Sequence, residues 1–206
     1  MAVGLIVRTA MAFRIRVSGP KACFARPEFK VDRISYEVIT PFAARAIYES
    51  IYWKPQIRWH VDAIHVLNPI LFCEEDRNSH SPRHGIIRSI SLLDVDYLID
   101  AHFDVIDHSN SDSIAAMHSK MFIKRVRSRR YFREPYLGAR EYPATIELVE
   151  SGTADTPQPA SRENREIGWI AHDLDEIPSN GLRFFQATMR NGTILVPPKG
   201  CPTLAL

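Results

Sequence analysis

The 206-residue sequence holds only three cysteines, Cys23, Cys73 and Cys201, an odd number with no CxxC spacing. That excludes a disulfide framework and a structural zinc ribbon, and fits a reducing compartment. Long hydrophobic runs are also missing. Arg, Asp, His or Glu interrupts each apolar stretch well short of the roughly 20 residues of a membrane helix, so no membrane association is expected. The apolar stretch before Arg8 is too short for a signal-peptide core and has no basic segment ahead of it, so a cytoplasmic location is expected. No P-loop, GxGxxG, HExxH or GxSxG occurs, which argues against NTPases, Rossmann dehydrogenases, zincins and α/β-hydrolases.

Charge is present in quantity and unevenly spread. Between Lys120 and Arg140 stand eight basic residues (Lys120, Lys124, Arg125, Arg127, Arg129, Arg130, Arg133 and Arg140) against one acid, Glu134. The whole chain carries a formal +2, so removing this local +7 leaves −5 elsewhere. A solvated helix face mixes signs to gain i,i+4 pairs, and this segment does not. A basic block on a mildly acidic body is the footprint of a phosphate-backbone binder.

Period-two alternation in Phe13–Ser18 reads as a strand ending in a Gly19-Pro20 turn. The following loop mixes Phe24 and Phe29 with Arg26 and Lys30, which suits base stacking with phosphate contact and equally suits a lid over a core. Thr40-Pro41 starts a helix whose Ala43, Ala44, Ile47 and Ile51 form one stripe, with Arg45, Tyr48 and Tyr52 along another side. Ile57–Leu67 alternates as a long strand or bent pair, and residues 73–85 read as a loop. Ile86–Leu92 and Tyr97–Ile106 read as two strands around Asp94, the second presenting Tyr97, Ile99, Ala101, Phe103 and Val105 on one face. Ile114, Met117, Met121 and Phe122 mark a second helix, and Thr145–Val149 another strand. This is an α+β order, βαββαβ, the ferredoxin-like (RRM-like) pattern. Glu166–Ala171, Leu182–Met189 and Thr193–Val196 add strands, the last two joined by a type I′ Asn191-Gly192 turn rather than a glycosylated sequon. Residues 1–12 thus form an N-terminal extension, 13–149 a ferredoxin-like domain and 150–206 a small β-rich C-terminal region.

Eight histidines are the remaining chemical resource. Cys73, His80 and His84 match no standard metal-finger spacing. His60 and His65, five apart in an extended segment, point to opposite faces, while His102 and His108 line a solvated strand. His118 differs, because it opens the basic block on a helix. An imidazole titrating near neutrality beside cations can cleave RNA without metal or cofactor: a base activates the 2′-OH, a cation stabilises the phosphorane, and an acid protonates the 5′-oxygen.

Five blocks then occur in order: Ile34-Ser-Tyr-Glu-Val-Ile-Thr-Pro-Phe-Ala-Ala-Arg45, Ile51-Tyr-Trp-Lys-Pro55, Ile57-Arg-Trp59, Ile64-His-Val-Leu-Asn-Pro-Ile70 and Pro135-Tyr-Leu-Gly-Ala-Arg-Glu141. Arg16-Val-Ser-Gly-Pro-Lys-Ala-Cys-Phe-Ala-Arg-Pro-Glu28 precedes them. Over roughly residues 13–142 the chain resembles the type I-C (Dvulg subtype) family of CRISPR-associated Cas5 proteins, of the RAMP superfamily. The resemblance implies metal-independent cleavage of the repeat in precursor crRNA, followed by retention on the crRNA 5′ handle in the Cascade complex. Its backbone, large and small subunits would be partners, and target DNA would be met indirectly. It also implies a catalytic Tyr and a Lys-His pair, which fall on Tyr52 and on Met117 and His118. Methionine replaces the lysine here, which makes Lys120 the nearest substitute and leaves a non-catalytic handle cap as the alternative. Arg26, Lys30, Arg45, Lys124, Arg125, Arg127, Arg129, Arg130 and Arg133 are the expected RNA contacts.

Overall fold

A computed structural model describes residues 7–8, 12–78, 86–106, 111–149, 163–174, 182–198 and 204–205. Its elements in chain order are β1 (Val7–Arg8), β2 (Phe13–Ala22), β3 (Arg33–Ile34), α1 (Pro41–Ile51), β4 (Ile57–Val66), β5 (Leu71–Asn78) and β6 (Ile86–Val105). Then come α2 (Ser111–Ser128), β7 (Thr145–Val149), β8 (Arg165–Leu174), β9 (Leu182–Arg190), β10 (Thr193–Leu195) and β11 (Leu204–Ala205). The strands form one large sheet, antiparallel except where β3 runs parallel to β6, and its central order is β4-β6-β2-β7. The chain is therefore mixed α and β, with two helices on a large antiparallel sheet.

Both helices cover one face. Phe13, Ile15 and Val17 of β2, Trp59 and Val61 of β4, and Tyr97, Ile99, Ala101, Phe103 and Val105 of β6 meet Ile47, Tyr48 and Ile51 of α1 and Phe122 and Val126 of α2. Phe122 packs edge-on to Phe13 with ring centroids 5.1 Å apart and stacks on Tyr48 at 5.6 Å. Each such buried side chain contributes about 1.5–3 kcal/mol of transfer free energy. Of the Arg45, Tyr48 and Tyr52 side of α1, Tyr48 is therefore core; its hydroxyl donates to the carbonyls of Phe13 and Ile99 at 2.9 and 2.8 Å. At the start of α1 the Thr40 side chain accepts the Ala43 N–H at 3.2 Å, with proline at the first helical position, as the Thr-Pro pair predicts.

Five sequence expectations change. The Gly19-Pro20 turn is absent, because β2 continues to Ala22 with Pro20 opposite Asp94, where the β2–β6 register skips a pair. Ile86–Leu92 and Tyr97–Ile106 are one strand, bent at Asp94, which takes φ 47°. The stretch read as a loop from residue 73 starts inside a strand, since Leu71–Asn78 pairs with Ile86–Leu93 as a hairpin arm. His60 and His65 share a face, because the β4–β6 register shifts between Val61 and Ala63 and a bulge reverses the alternation. That bulge yields a face of histidine, arginine and aspartate contacts: His65 and Arg14 reach Asp100 at 3.1 and 2.6 Å, His60 reaches Asp104 at 3.1 Å, and His102 reaches Asp62 at 2.7 Å. His102 is buried in this ladder instead of solvated. His80, His84, His108 and Cys201 lie outside the described residues, as do residues 1–6 and 150–162.

At the C-terminal end the type I′ turn stands as expected, with Asn191 at φ 50° and Gly192 at φ 73° between β9 and β10. β10 then pairs with β4, joining the C-terminal strands to the central sheet.

Candidate catalytic and nucleic-acid site

Tyr52 is the residue at which α1 stops. Its backbone turns extended (φ −149°, ψ 113°), and its carbonyl accepts the Trp59 indole N–H at 3.0 Å, which locks the helix end to β4. His118 sits on α2, one residue after Met117 and four before the core residue Phe122, so it shares the inward face at the i,i+4 spacing. The two side chains meet: Tyr52 Oη and His118 Nδ1 are 2.7 Å apart across 66 residues of sequence. Both are covered, Tyr52 at 2% and His118 at 1% exposure. The imidazole also meets the edge of Phe103, with ring centroids at 6.3 Å.

Burial, then the positive charge of Lys54, pushes the His118 pKa below its ordinary 6.5, so the ring is neutral at pH 7. Burial raises the Tyr52 phenol, opposed in part by Arg125, so it keeps its proton. His118 Nε2 is buried with no hydrogen-bond partner. A neutral imidazole bonded through one nitrogen and unengaged at the other has a ring nitrogen able to take up a proton. Arg125, seven residues after His118 and so on the same helix face, holds its guanidinium 5.2 Å from the Tyr52 ring centre and donates to the Ile51 carbonyl at 3.3 Å.

The other expected residues divide. Lys120 is exposed and leaves the helix about 200° from His118, so it is not brought to the pair. Met117 is 51% exposed, on the solvent side. Lys124, just before Arg125, and Arg127, Arg129, Arg130 and Arg133, beyond it, are exposed along α2 and the segment after it. Arg129 has φ 51°, and Arg129 and Arg130 N–H groups bond the carbonyls of Val126 and Arg125 at 3.1 Å each, a Schellman end that ordinarily takes glycine. Arg45 is engaged with Glu49 at 3.0 Å on α1. Arg26 lies over the Tyr36 ring at 4.6 Å, and Lys30 is exposed in the same loop. Sequence reasoning did not single out Lys54, the cation that acts on His118; its signal was adjacency to Tyr52 in the Tyr-Trp-Lys-Pro block. Among the described residues no three His, Cys, Asp or Glu side chains are placed to hold a metal ion, and no helix is long and apolar enough to cross a membrane.

Comparison with known proteins supplies the context for this geometry. The Cas5d model of the CRISPR-associated protein (Cas5) family matches residues 13–197. The CRISPR pre-crRNA endoribonuclease Cas5d of Mannheimia succiniciproducens is 37% identical, over 92% of this chain and 96% of that protein. Its counterpart of the same name from Thermus thermophilus is 31% identical, over 89% of this chain and 90% of that protein. A solved structure described as a CRISPR-associated protein superposes with a TM-score of 0.79 at 26% identity, covering 98% of this chain and 100% of that one.

Proposed function

This chain belongs to the Cas5d family of CRISPR-associated proteins and is a pre-crRNA endoribonuclease, and we propose that His118 and Tyr52 carry the proton transfers of a metal-independent cleavage of the CRISPR repeat. The observation that carries the reading is the 2.7 Å pairing of a neutral histidine with a protonated tyrosine, its second ring nitrogen unengaged, beside a basic block. With Nδ1–H donated to Tyr52 Oη, the lone pair lies on Nε2, and His118 takes the proton of the ribose 2′-OH. The 2′-oxygen bonds to phosphorus, the bond from phosphorus to the 5′-oxygen breaks, and Tyr52 gives its proton to that oxygen. The products are a 2′,3′-cyclic phosphate and a 5′-OH. Arg125 and Lys54 supply the positive charge that Met117 cannot, stabilising the phosphorane in place of Lys120. Because both rings are covered, RNA reaches them only when their covering side chains yield, and Arg125 over Tyr52 is where an arriving phosphate displaces protein contacts.

The order β4-β6-β2-β7, numbered along the βαββαβ path, is 2-3-1-4, which supports a ferredoxin-like domain over 13–149, with 150–206 as its β-rich C-terminal region. In this reading the protein is the type I-C member that stays on the crRNA 5′ handle within Cascade, meeting its backbone, large and small subunits. Met117 and the covered pair favour one second reading, a handle cap without cleavage. Incubating the protein with its cognate repeat RNA in EDTA tests the first: discrete products ending in 5′-OH and cyclic phosphate support it, and binding without cleavage supports the second.

A further inference from the structure

Immediately after Tyr52 the chain exposes Trp53, at 45%, and this ring is stacked on Phe132, itself 53% exposed, with centroids 6.4 Å apart and planes 29° from parallel. The pairing is built by the backbone. The N–H groups of Phe132 and Arg133 donate to the Ile51 and Ser50 carbonyls, at 3.3 and 2.9 Å, which lays the segment following α2 along the last turn of α1. Arg133 then caps the Phe132 ring, its guanidinium carbon 5.5 Å from the centroid. The fold therefore holds two aromatic rings half in water, one residue from the catalytic tyrosine, with Lys54 following Trp53 in the chain and Arg129, Arg130 and Arg133 flanking Phe132 in the chain.

Large aromatic side chains left in water need an occupant or a reason. The charge around these two selects the occupant. Among the described residues no ion pair joins these cations to an acid, and their excess over the neighbouring Glu134 matches a polyanion; stacked rings beside cations are a means by which proteins hold single-stranded nucleic acid without hydrogen-bond readout. We infer that Trp53 and Phe132 form a stacking platform for one nucleobase of the repeat, next to the phosphate delivered to Tyr52 and His118. The inference rests on the catalytic reading for the platform's place relative to the cut. Stacking there fixes the sugar and phosphate of the neighbouring nucleotide against the pair, so the platform positions the substrate and performs no chemistry.

Single-turnover cleavage of repeat RNAs carrying one abasic nucleotide at each position in turn tests it. With the unaltered protein, one position should lose rate by about 5- to 150-fold, the value of one base–aromatic stack. Trp53→Ala should lower the rate on intact repeat by a similar factor, through KM more than kcat, and add no further loss at that one abasic position. Trp53→Phe should restore most of the rate. Phe132→Ala, exposed and so tolerated by the fold, gives an independent repeat of the same coupling. Trp53→Ala losing the same factor at every abasic position, or cleaving intact repeat at the parental rate, would overturn the platform and leave the two rings as a contact for a protein subunit. Failure of the catalytic reading shows elsewhere, as His118→Ala cleaving normally, whatever Trp53 does.

Discussion

Replacing His118 by alanine separates chemistry from binding and from folding. The imidazole is 1% exposed and bonded to Tyr52 Oη, so its loss leaves that hydroxyl buried without its partner. This costs about 1–3 kcal/mol, and the small cavity adds to it. A domain with about 5–15 kcal/mol of stability remains folded, which circular dichroism and a urea midpoint verify before kinetics. Loss of a positioned acid-base group lowers the cleavage rate by about 10²–10⁴, or about 2.7–5.4 kcal/mol of transition-state stabilisation. Affinity for the repeat should change little, because a neutral imidazole releases no counterion from the backbone. Tyr52→Phe keeps the ring beneath Arg125 and removes only the hydroxyl, so it should also abolish most cleavage. The double variant should be little worse than either single one, since paired proton-transfer groups act as a unit. End-labelled repeat in EDTA, under single turnover, measures all three. Cleavage by His118→Ala at the parental rate would refute the reasoning, and simple multiplication of the two single losses would refute the pairing.

Four further outcomes are expected. His118 is held below 6.5 by burial and by Lys54, so cleavage should rise with pH through that depressed value and level off before neutrality; Lys54→Ala should shift the acidic limb of the rate profile upward, and an unmoved limb removes Lys54 from the site. Arg129 occupies a left-handed helix end, so Arg129→Gly should stabilise the fold by about 0.5–1 kcal/mol while flattening the log–log salt dependence of RNA binding by about one unit; destabilisation, or an unchanged slope, contradicts the strain or the contact. Burial alone would raise the Asp100 carboxyl, but its bonds from Arg14 and His65 outweigh that and hold it at about 2, so its stability contribution is complete above its ordinary 3.8 and is lost as pH falls toward 2; Arg14→Met should cost about 1.5–3 kcal/mol at neutral pH in urea unfolding and weaken that acid dependence. Gly138 sits at φ 83°, and a Cβ added there would lie 2.0 Å from the Cys23 carbonyl oxygen, so Gly138→Ala should lower the unfolding free energy in urea by at least about 2 kcal/mol, and a neutral effect would mean the loop relaxes freely.

Legibility in the sequence followed range. Thr40-Pro41, the alternation of Phe13–Ser18 and Tyr97–Val105, and the positive-φ Asn191-Gly192 turn act on neighbouring residues through backbone sterics and hydrogen bonding, and each is visible in a short window. The basic block was likewise plain, since charge accumulates along the chain. The Asp62 bulge left one local mark, the adjacent apolar Ala63 and Ile64 where the alternation changes phase, but pairing with the partner strand decides that an extra residue is absorbed there, and with it the face on which His65 stands. Strand β5 was hidden for a related reason, as its polar residues pair with β6 while the sequence offers no alternation to betray them.

What the sequence determined by itself is therefore the set of local elements, their order, the sign of the charge on α2 and, through resemblance, the residues to watch. Only the tertiary structure decided that Tyr52 and His118 touch across 66 residues, that Arg125 and Lys54 act on them while Lys120 faces solvent, and that Trp53 lies against Phe132. The reason is physical. Local patterns are fixed by the backbone's own periodicities, whereas a site assembled from the end of one helix and the middle of another exists only once strand order and core packing have set where those helices lie.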